Sequence, residues 1–183
     1  MKITQKSLLI CLALVVIFSG ASMIRVAAQD AAMTSQQIDR ILGNCVSAKN
    51  TLNQLHASDA LLRVNRGQVY ELISTKLMNG FNDRISNNKL DNKELVDATS
   101  GYNAALNTFR VDYKTYEEHL SLAIGIDCQK QPVSFYDSVT SARNERNRVH
   151  ADILKLNQHI DQYQAAINKF EKEYTAANVG VGK

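Results

Sequence analysis

The sequence predicts an all-α protein, an elongated antiparallel three-helix bundle or coiled coil preceded by an N-terminal apolar export helix. Three observations predict this fold. The 183 residues contain one proline, so long helices can run unbroken. From Thr34 onward, apolar residues recur three, four or seven positions apart, as they do on one face of a helix. Residues 1–28 place lysines, an apolar run and small residues in the order of a secretory signal.

Residues 1–28 are predicted to be a signal peptide or an uncleaved membrane anchor. The uncharged run 8–24 is shorter than the about 20 residues that a spanning helix needs, and the small residues Ala21 and Ala28 offer two cleavage points. Lys2 and Lys6 hold the N-terminus in the cytoplasm in either case. We therefore expect residues 29–183 to form one helical domain in the periplasm, on the cell surface or in the medium. Contact with a membrane is expected only through residues 7–28, if they are retained.

The charge of the chain argues against a nucleic-acid partner. The formal charge is +3, but Lys2, Lys6 and Arg25 all lie in the leader, and every acidic residue follows it. The expected exported domain therefore carries 18 Lys and Arg against 18 Asp and Glu. A balanced surface of this kind lacks the positive field that attracts phosphate backbones.

Three helices are predicted, over about 34–86, 91–125 and 132–177. Thr34 and Gln37 have the spacing of a capping box at the start of the first helix. Residues 91–94 resemble such a start for the second helix, and a proline suits the first turn of the third. Because the connecting turns are short, neighbouring helices should be antiparallel.

Each helix has an expected buried face. On the first helix this face includes Leu52, Leu55, Leu62, Val69, Ile73, Leu77, Phe81 and Ile85, with a kink at Asn79–Gly80. On the second helix, Tyr102, Phe109 and Tyr116 repeat at heptad spacing. The third helix has the most regular heptads, one of them Val139, Arg146, Ile153, Ile160, Ile167 and Tyr174 and the other Ala142, Val149, Leu156, Tyr163, Phe170 and Ala177. Such a repeat predicts a coiled coil, formed within one chain or by self-association through the third helix.

Cys45 and Cys128 are predicted to form a disulfide. Two cysteines remain after the leader, and exported domains keep cysteines oxidised. Folding the first two helices about the turn near Lys89 brings Cys45 level with the loop that carries Cys128. In the chain-entropy description, closing this loop stabilises the domain by about 4–5 kcal/mol.

A polar layer is expected in the middle of the bundle. In the antiparallel register, the polar residues at core positions fall together, and they are Asp59, Arg63, Arg66, Tyr113, Tyr116 and Arg146. The simpler interpretation is that they fix the register of the helices, as buried polar residues do in coiled coils. The alternative is a site for a small anionic ligand, since clustered arginines bind such groups in bidentate fashion.

The sequence contains no motif for catalysis. Nucleophile turns and phosphate-binding glycine loops are absent, so we expect no enzyme activity and no cofactor. His56 and His119 could meet beside Glu117 or Glu118 as a metal site, but surface histidines are the default and we predict no metal.

The predicted function is that of an exported helical scaffold or adaptor in a bacterial envelope or on a cell surface, with an unidentified protein partner. In size, leader and helical content the chain resembles small exported holdase chaperones of the bacterial envelope, although no strand-like run follows the leader here. That resemblance implies an extracytoplasmic holdase as the alternative. A membrane-anchored metal- or ligand-binding domain is the second alternative.

Overall fold

The computed structural model describes residues 33–179. Its elements are α1 (Ser35–Leu72), a π-helical segment (Ile73–Met78), α2 (Asn79–Asn87), α3 (Lys93–Gly125) and α4 (Pro132–Val179). No strand occurs in this range, and α1, the π segment and α2 together make up the first predicted helix. For residues 33–179, the prediction of an all-helical fold with three helices is therefore confirmed. The predicted leader lies outside the described residues. Within residues 33–179, no helix combines the length and apolarity needed to cross a bilayer.

The first helix begins at the predicted capping box. The Gln37 amide donates to Thr34 Oγ1 at 3.3 Å, and the Thr34 amide donates to Gln37 Oε1 at 2.8 Å. The start of α3 differs from the prediction, because Asp91 Oδ1 accepts from the Lys93 amide at 3.0 Å. No side chain caps α3 from its N-cap residue. Glu94, expected to complete a second box, instead pairs with Lys169 of α4.

The turn after α2 places a lysine in a backbone conformation that favours glycine. The Lys89 amide donates to the Ser86 carbonyl at 2.9 Å, and the Leu90 amide donates to the Ile85 carbonyl at 3.2 Å. These two bonds form a Schellman motif, which needs a left-handed residue just past the helix. Lys89 is that residue, with φ of 58°.

The first helix and α3 run antiparallel. Asp59 of α1 contacts Tyr116 of α3, whereas Asn82 of α2 contacts Thr99 of α3, so residue numbers rise along one helix as they fall along the other. α3 has its most extensive packing against α4. Of the predicted heptad on α4, Ala142, Val149, Leu156 and Tyr163 are buried, whereas Phe170 is half-buried and Ala177 is exposed. Phe135, seven residues before Ala142, is also buried.

The predicted buried face of the first helix is wrong at Leu62, Val69 and Leu77, whereas Ile73 packs against the core as predicted. Leu62, Val69 and Leu77 are exposed, and Tyr70 and Met78 are buried instead. Val69 is one residue from Tyr70, which turns its side chain by about 100° around the helix. The π segment then widens one turn and shifts which residues face the bundle. The predicted irregularity at Asn79–Gly80 lies directly after this segment.

Two buried tyrosines donate hydrogen bonds to backbone carbonyls at the ends of the π segment. The Tyr102 hydroxyl donates to the Tyr70 carbonyl at 3.0 Å, and the Tyr163 hydroxyl donates to the Met78 carbonyl at 3.2 Å. Both rings are almost fully buried. Helix irregularities are stabilised where side chains supply partners for the backbone groups there. The phenols of α3 and α4 thereby hold the irregular turn against the bundle.

Cys45 and Cys128 form a disulfide at the end of the bundle, as the sequence predicts, with Cα atoms 5.7 Å apart. The loop before α4 is also held by polar contacts, since Lys49 donates to the Ile126 carbonyl at 3.0 Å and Gln129 donates to the Leu42 carbonyl at 3.1 Å. The disulfide packs in a small apolar cluster of its own.

Candidate functional site

Asp59 joins the three helices in the middle of the bundle. The Tyr116 hydroxyl of α3 donates to Asp59 Oδ2 at 2.8 Å. Arg146 of α4 donates from Nε to Oδ2 at 2.8 Å and from Nη2 to Oδ1 at 3.2 Å. The Asp59 side chain is 11% exposed and that of Arg146 is 49% exposed. A single buried carboxylate on α1 is therefore satisfied by donors from both other helices.

The partners of Asp59 set its charge state. Burial raises the pKa of Asp59, but hydrogen bonds from Arg146 and Tyr116 and the charge of Arg146 together hold it below its usual value. The hydrogen bond to Asp59 is the main cause that raises the pKa of Arg146. Burial, followed by the bond to Asp59, raises the pKa of the Tyr116 phenol. At neutral pH the cluster is an ion pair capped by a neutral phenol.

Arg63 is held by an aromatic ring and not by a carboxylate. Its Cζ lies 5.1 Å from the centroid of the Tyr113 ring, within the range of a cation–π contact. The Tyr113 hydroxyl donates to Glu117 Oε1 at 3.3 Å. The Tyr113 ring also meets the Tyr116 ring edge-on at 5.9 Å. Among the described residues, Arg63 has no salt-bridge partner.

A cavity of about 440 Å³ opens beside this cluster, between α1, α3 and α4. All six residues of the predicted polar layer line it. The other lining residues are Leu62, Tyr70, Phe109, Asn147, Val149, His150 and Ile153. The cavity therefore has an aromatic and aliphatic wall as well as a charged one.

Six residues of the cavity lining could be predicted from the sequence as a polar layer, among them Tyr113 and Tyr116, but the aromatic wall residue Tyr70 could not. Tyr70 was missed because Val69 was assigned to the buried face. The sequence feature that identifies Tyr70 is its spacing of eleven residues from Asp59. This spacing is about three helical turns, so the two side chains lie on the same face of α1. Phe109 was predicted as core, and it does pack against the Tyr70 ring, with centroids 5.7 Å apart. The role of Phe109 as cavity wall follows only from that contact across helices.

The alternative metal site is not formed by the described residues. His56, Glu117 and Glu118 line a shallow depression between α1 and α3, and His119 is not among its lining residues. In the range 33–179, no three His, Cys, Asp or Glu side chains lie close enough together to hold a metal ion.

Asp112 and Asp152 form a second electrostatic feature between α3 and α4. Burial raises the pKa of Asp152 to about 6, and the neighbouring carboxyl of Asp112 acts in the same direction. Lys155 acts against the shift. Asp152 Oδ2 is buried and has no hydrogen-bond partner among the described residues. Because a buried carboxylate beside a second carboxyl group is costly when ionised, Asp152 keeps its proton to a higher pH than an exposed aspartate does.

An apolar strip on α1 faces away from the bundle. We call it the α1 stripe, and it consists of Leu61, Val64, Val69 and Leu72, all exposed. Leu61 is 66% exposed and Leu72 is 54% exposed. These two leucines are three turns apart. Leu61 follows the buried Asp59 by two positions and Leu72 follows the buried Tyr70 by two, and a step of two residues is about 200° around the helix. The stripe therefore points outward.

Comparison with known proteins yields no relative. No protein-family model matches the chain, and no curated protein and no solved structure shows a significant match. The function of this molecule is therefore inferred from its sequence and from the contacts of residues 33–179.

Proposed function

We propose that this protein is an exported, non-enzymatic scaffold or adaptor, an elongated antiparallel three-helix coiled coil that binds another protein through the α1 stripe. The observation that carries the proposal is the position of Leu61 and Leu72, exposed on the side of α1 opposite Asp59 and Tyr70. Single exposed apolar residues are ordinary on protein surfaces. Four within three turns of one helix are typical of an interaction surface.

The charge pattern of α1 supports a contact with an apolar helix. The charged residues of this stretch lie on other faces of α1. Asp59, Arg63 and Arg66 line the cavity, and Glu71 forms a salt bridge with Arg110 of α3. Polar Asn65 and Gln68 lie among the stripe residues. We therefore infer that the partner offers the uncharged, apolar face of a helix, because opposing charges would be buried without a counterion.

The export of the protein is proposed on two supports. The sequence places a signal-like segment before the helical domain. The disulfide between Cys45 and Cys128 suits an oxidising compartment. A disulfide of this kind stabilises a thin helical domain in a compartment that lacks cytoplasmic chaperones.

Site-specific photo-crosslinking in the producing cells tests this function. A photoreactive phenylalanine replaces Leu61 or Leu72, and the control places it at Gln158, an exposed residue of α4. We expect one adduct of defined mass from both α1 positions and none from the control. The identified partner, once purified, should bind the wild-type chain at least tenfold more tightly than the variant with Leu61→Ser and Leu72→Ser. A homodimer adduct, or no adduct, would contradict the adaptor proposal.

The holdase alternative rests on the same exposed stripe, since holdases bind unfolded clients through apolar surface. It differs in that no single partner is preferred. Suppression of the thermal aggregation of an unrelated client protein, lost in the Leu61→Ser and Leu72→Ser variant, would favour it over an adaptor. An adaptor should leave the aggregation of such a client unchanged.

A further inference from the structure

We propose that the cavity between α1, α3 and α4 binds an amphipathic anion, a molecule in which a carboxylate, sulfate or phosphate is joined to an apolar body. This inference is independent of the α1 stripe. It rests on the juxtaposition of an apolar wall and a cationic mouth in a single cavity.

The apolar wall is built from residues of all three helices. Tyr70 and Phe109 meet edge-on, and Val149 and Ile153 of α4 complete the surface. The volume of about 440 Å³ falls in the range of about 300–1,000 Å³ that is typical of small-molecule sites. An apolar body placed here would leave contact with water, which is the main source of its binding free energy.

The charged wall carries more positive than negative charge. Arg63, Arg66 and Arg146 line the cavity together with one carboxylate, Asp59. Asp59 is already satisfied by Arg146 and by the Tyr116 hydroxyl. Arg63 and Arg66 are exposed and have no salt-bridge partner among the described residues. Two guanidinium groups therefore remain for an anion at the mouth.

The arrangement also orients the ligand. The cation–π contact with Tyr113 holds Arg63 in place before any ligand arrives, which lowers the entropy lost on binding. A guanidinium offers paired donors that match carboxylate, sulfate and phosphate oxygens. The headgroup would lie between Arg63 and Arg66, and the apolar body would point toward Phe109.

Isothermal titration calorimetry on the exported, disulfide-bonded protein provides the test. The probes are dodecanoate and dodecyl phosphate, each below its micelle concentration. Dodecyltrimethylammonium is the matched probe of opposite charge, and inorganic phosphate is the headgroup without a tail. We expect one dodecanoate or dodecyl phosphate per chain, bound at least tenfold more tightly than either control, and the tighter of the two identifies the headgroup. Equal binding of the cationic amphiphile, or no binding of either anion, would overturn the proposal.

Variants locate the ligand. Arg63→Gln and Arg66→Gln should each weaken binding by about tenfold, the loss typical of one charged hydrogen bond, and Arg63→Lys should weaken it less than Arg63→Gln. Arg143→Gln, at an exposed arginine of α4 outside the cavity, should leave the affinity unchanged. The Leu61→Ser and Leu72→Ser variant should also bind normally. An effect of that variant equal to the arginine variants would place the ligand on the α1 stripe and refute the cavity site.

Discussion

Arg146 donates two hydrogen bonds to Asp59 across 87 positions of sequence, and these bonds join the last helix to the first in the middle of the bundle. The Tyr116 hydroxyl adds a third donor from the remaining helix. A shift of any helix by one residue would break this set of contacts. We therefore expect the cluster to fix the register, which the apolar faces alone would specify less sharply.

Tyr116→Phe should destabilise the protein by about 1–2 kcal/mol, because it removes a donor from a buried carboxylate. Asp59→Ala should cost more, about 2–4 kcal/mol, since it leaves both Arg146 and the buried phenol without their partner. Reversible urea unfolding with the disulfide intact measures both free energies. Tyr136→Phe is the matched control, because the Tyr136 side chain is exposed. Equal effects of Tyr116→Phe and Tyr136→Phe would contradict the role given to the buried phenol.

Asp152→Asn should stabilise the protein at neutral pH and not at pH 4. The folded-state pKa of about 6 lies above the unfolded value of about 3.9. The native state therefore binds more protons in this window, and stability falls as pH rises through it. Above the window, the ionised Asp152 costs about 1 kcal/mol once its partial exposure to solvent is taken into account.

Urea unfolding of wild type and Asp152→Asn at pH 4 and pH 7.5 measures this difference. The two proteins should be equally stable at the lower pH and differ at the higher one. Asp161→Asn, at an exposed position of the same helix, should match wild type at both. A constant difference at both pH values would show that packing, and not ionisation, explains the effect.

Replacing Cys45 and Cys128 by serine should lower the free energy of unfolding by about 4–5 kcal/mol, as expected for an 83-residue loop. Reduction of the wild type should cause a similar loss. Intact-mass analysis of protein from the exported fraction supplies the covalent evidence. Both cysteines should be alkylated only after reduction, and alkylation without reduction would contradict the bond.

Lys89→Gly should stabilise the protein by about 0.5–1 kcal/mol, because a side chain is strained at the left-handed φ of 58°. Lys89→Ala retains Cβ and should give no such gain. Thermal unfolding of the two variants and wild type measures the difference. If both variants gained equally, the cause would be loss of the lysine charge and not relief of backbone strain.

The boundaries of the helices could be predicted closely because local signals mark them, such as the Thr34 capping box and Pro132. The polar layer could be predicted because charged residues at heptad positions break an otherwise apolar pattern. The exposure of Leu62, Val69 and Leu77 could not be predicted. A seven-residue repeat places Leu62 and Val69 on one face, but the residues buried there, Asp59 and Tyr70, are eleven residues apart, close to three turns of an α-helix. Only the error at Leu77 follows from the π segment at Ile73–Met78, whose wider turn shifts the face. Its stabilising contacts come from Tyr102 and Tyr163, which are distant in sequence.

The disulfide also divides the chain mechanically. Cys45 and Cys128 enclose the rest of α1, the π segment, α2 and α3 in one covalent ring, while the 48 residues of α4 lie outside it. A pulling force applied to the two ends of the domain would be carried by the sulfur–sulfur bond around the ring. Only α4 and the first turns of α1 could extend, by at most about 3.3–3.6 Å for each residue. Under tension the molecule would therefore lengthen as α4 dissociates from the bundle and unfolds, while α1 and α3 remain packed against each other.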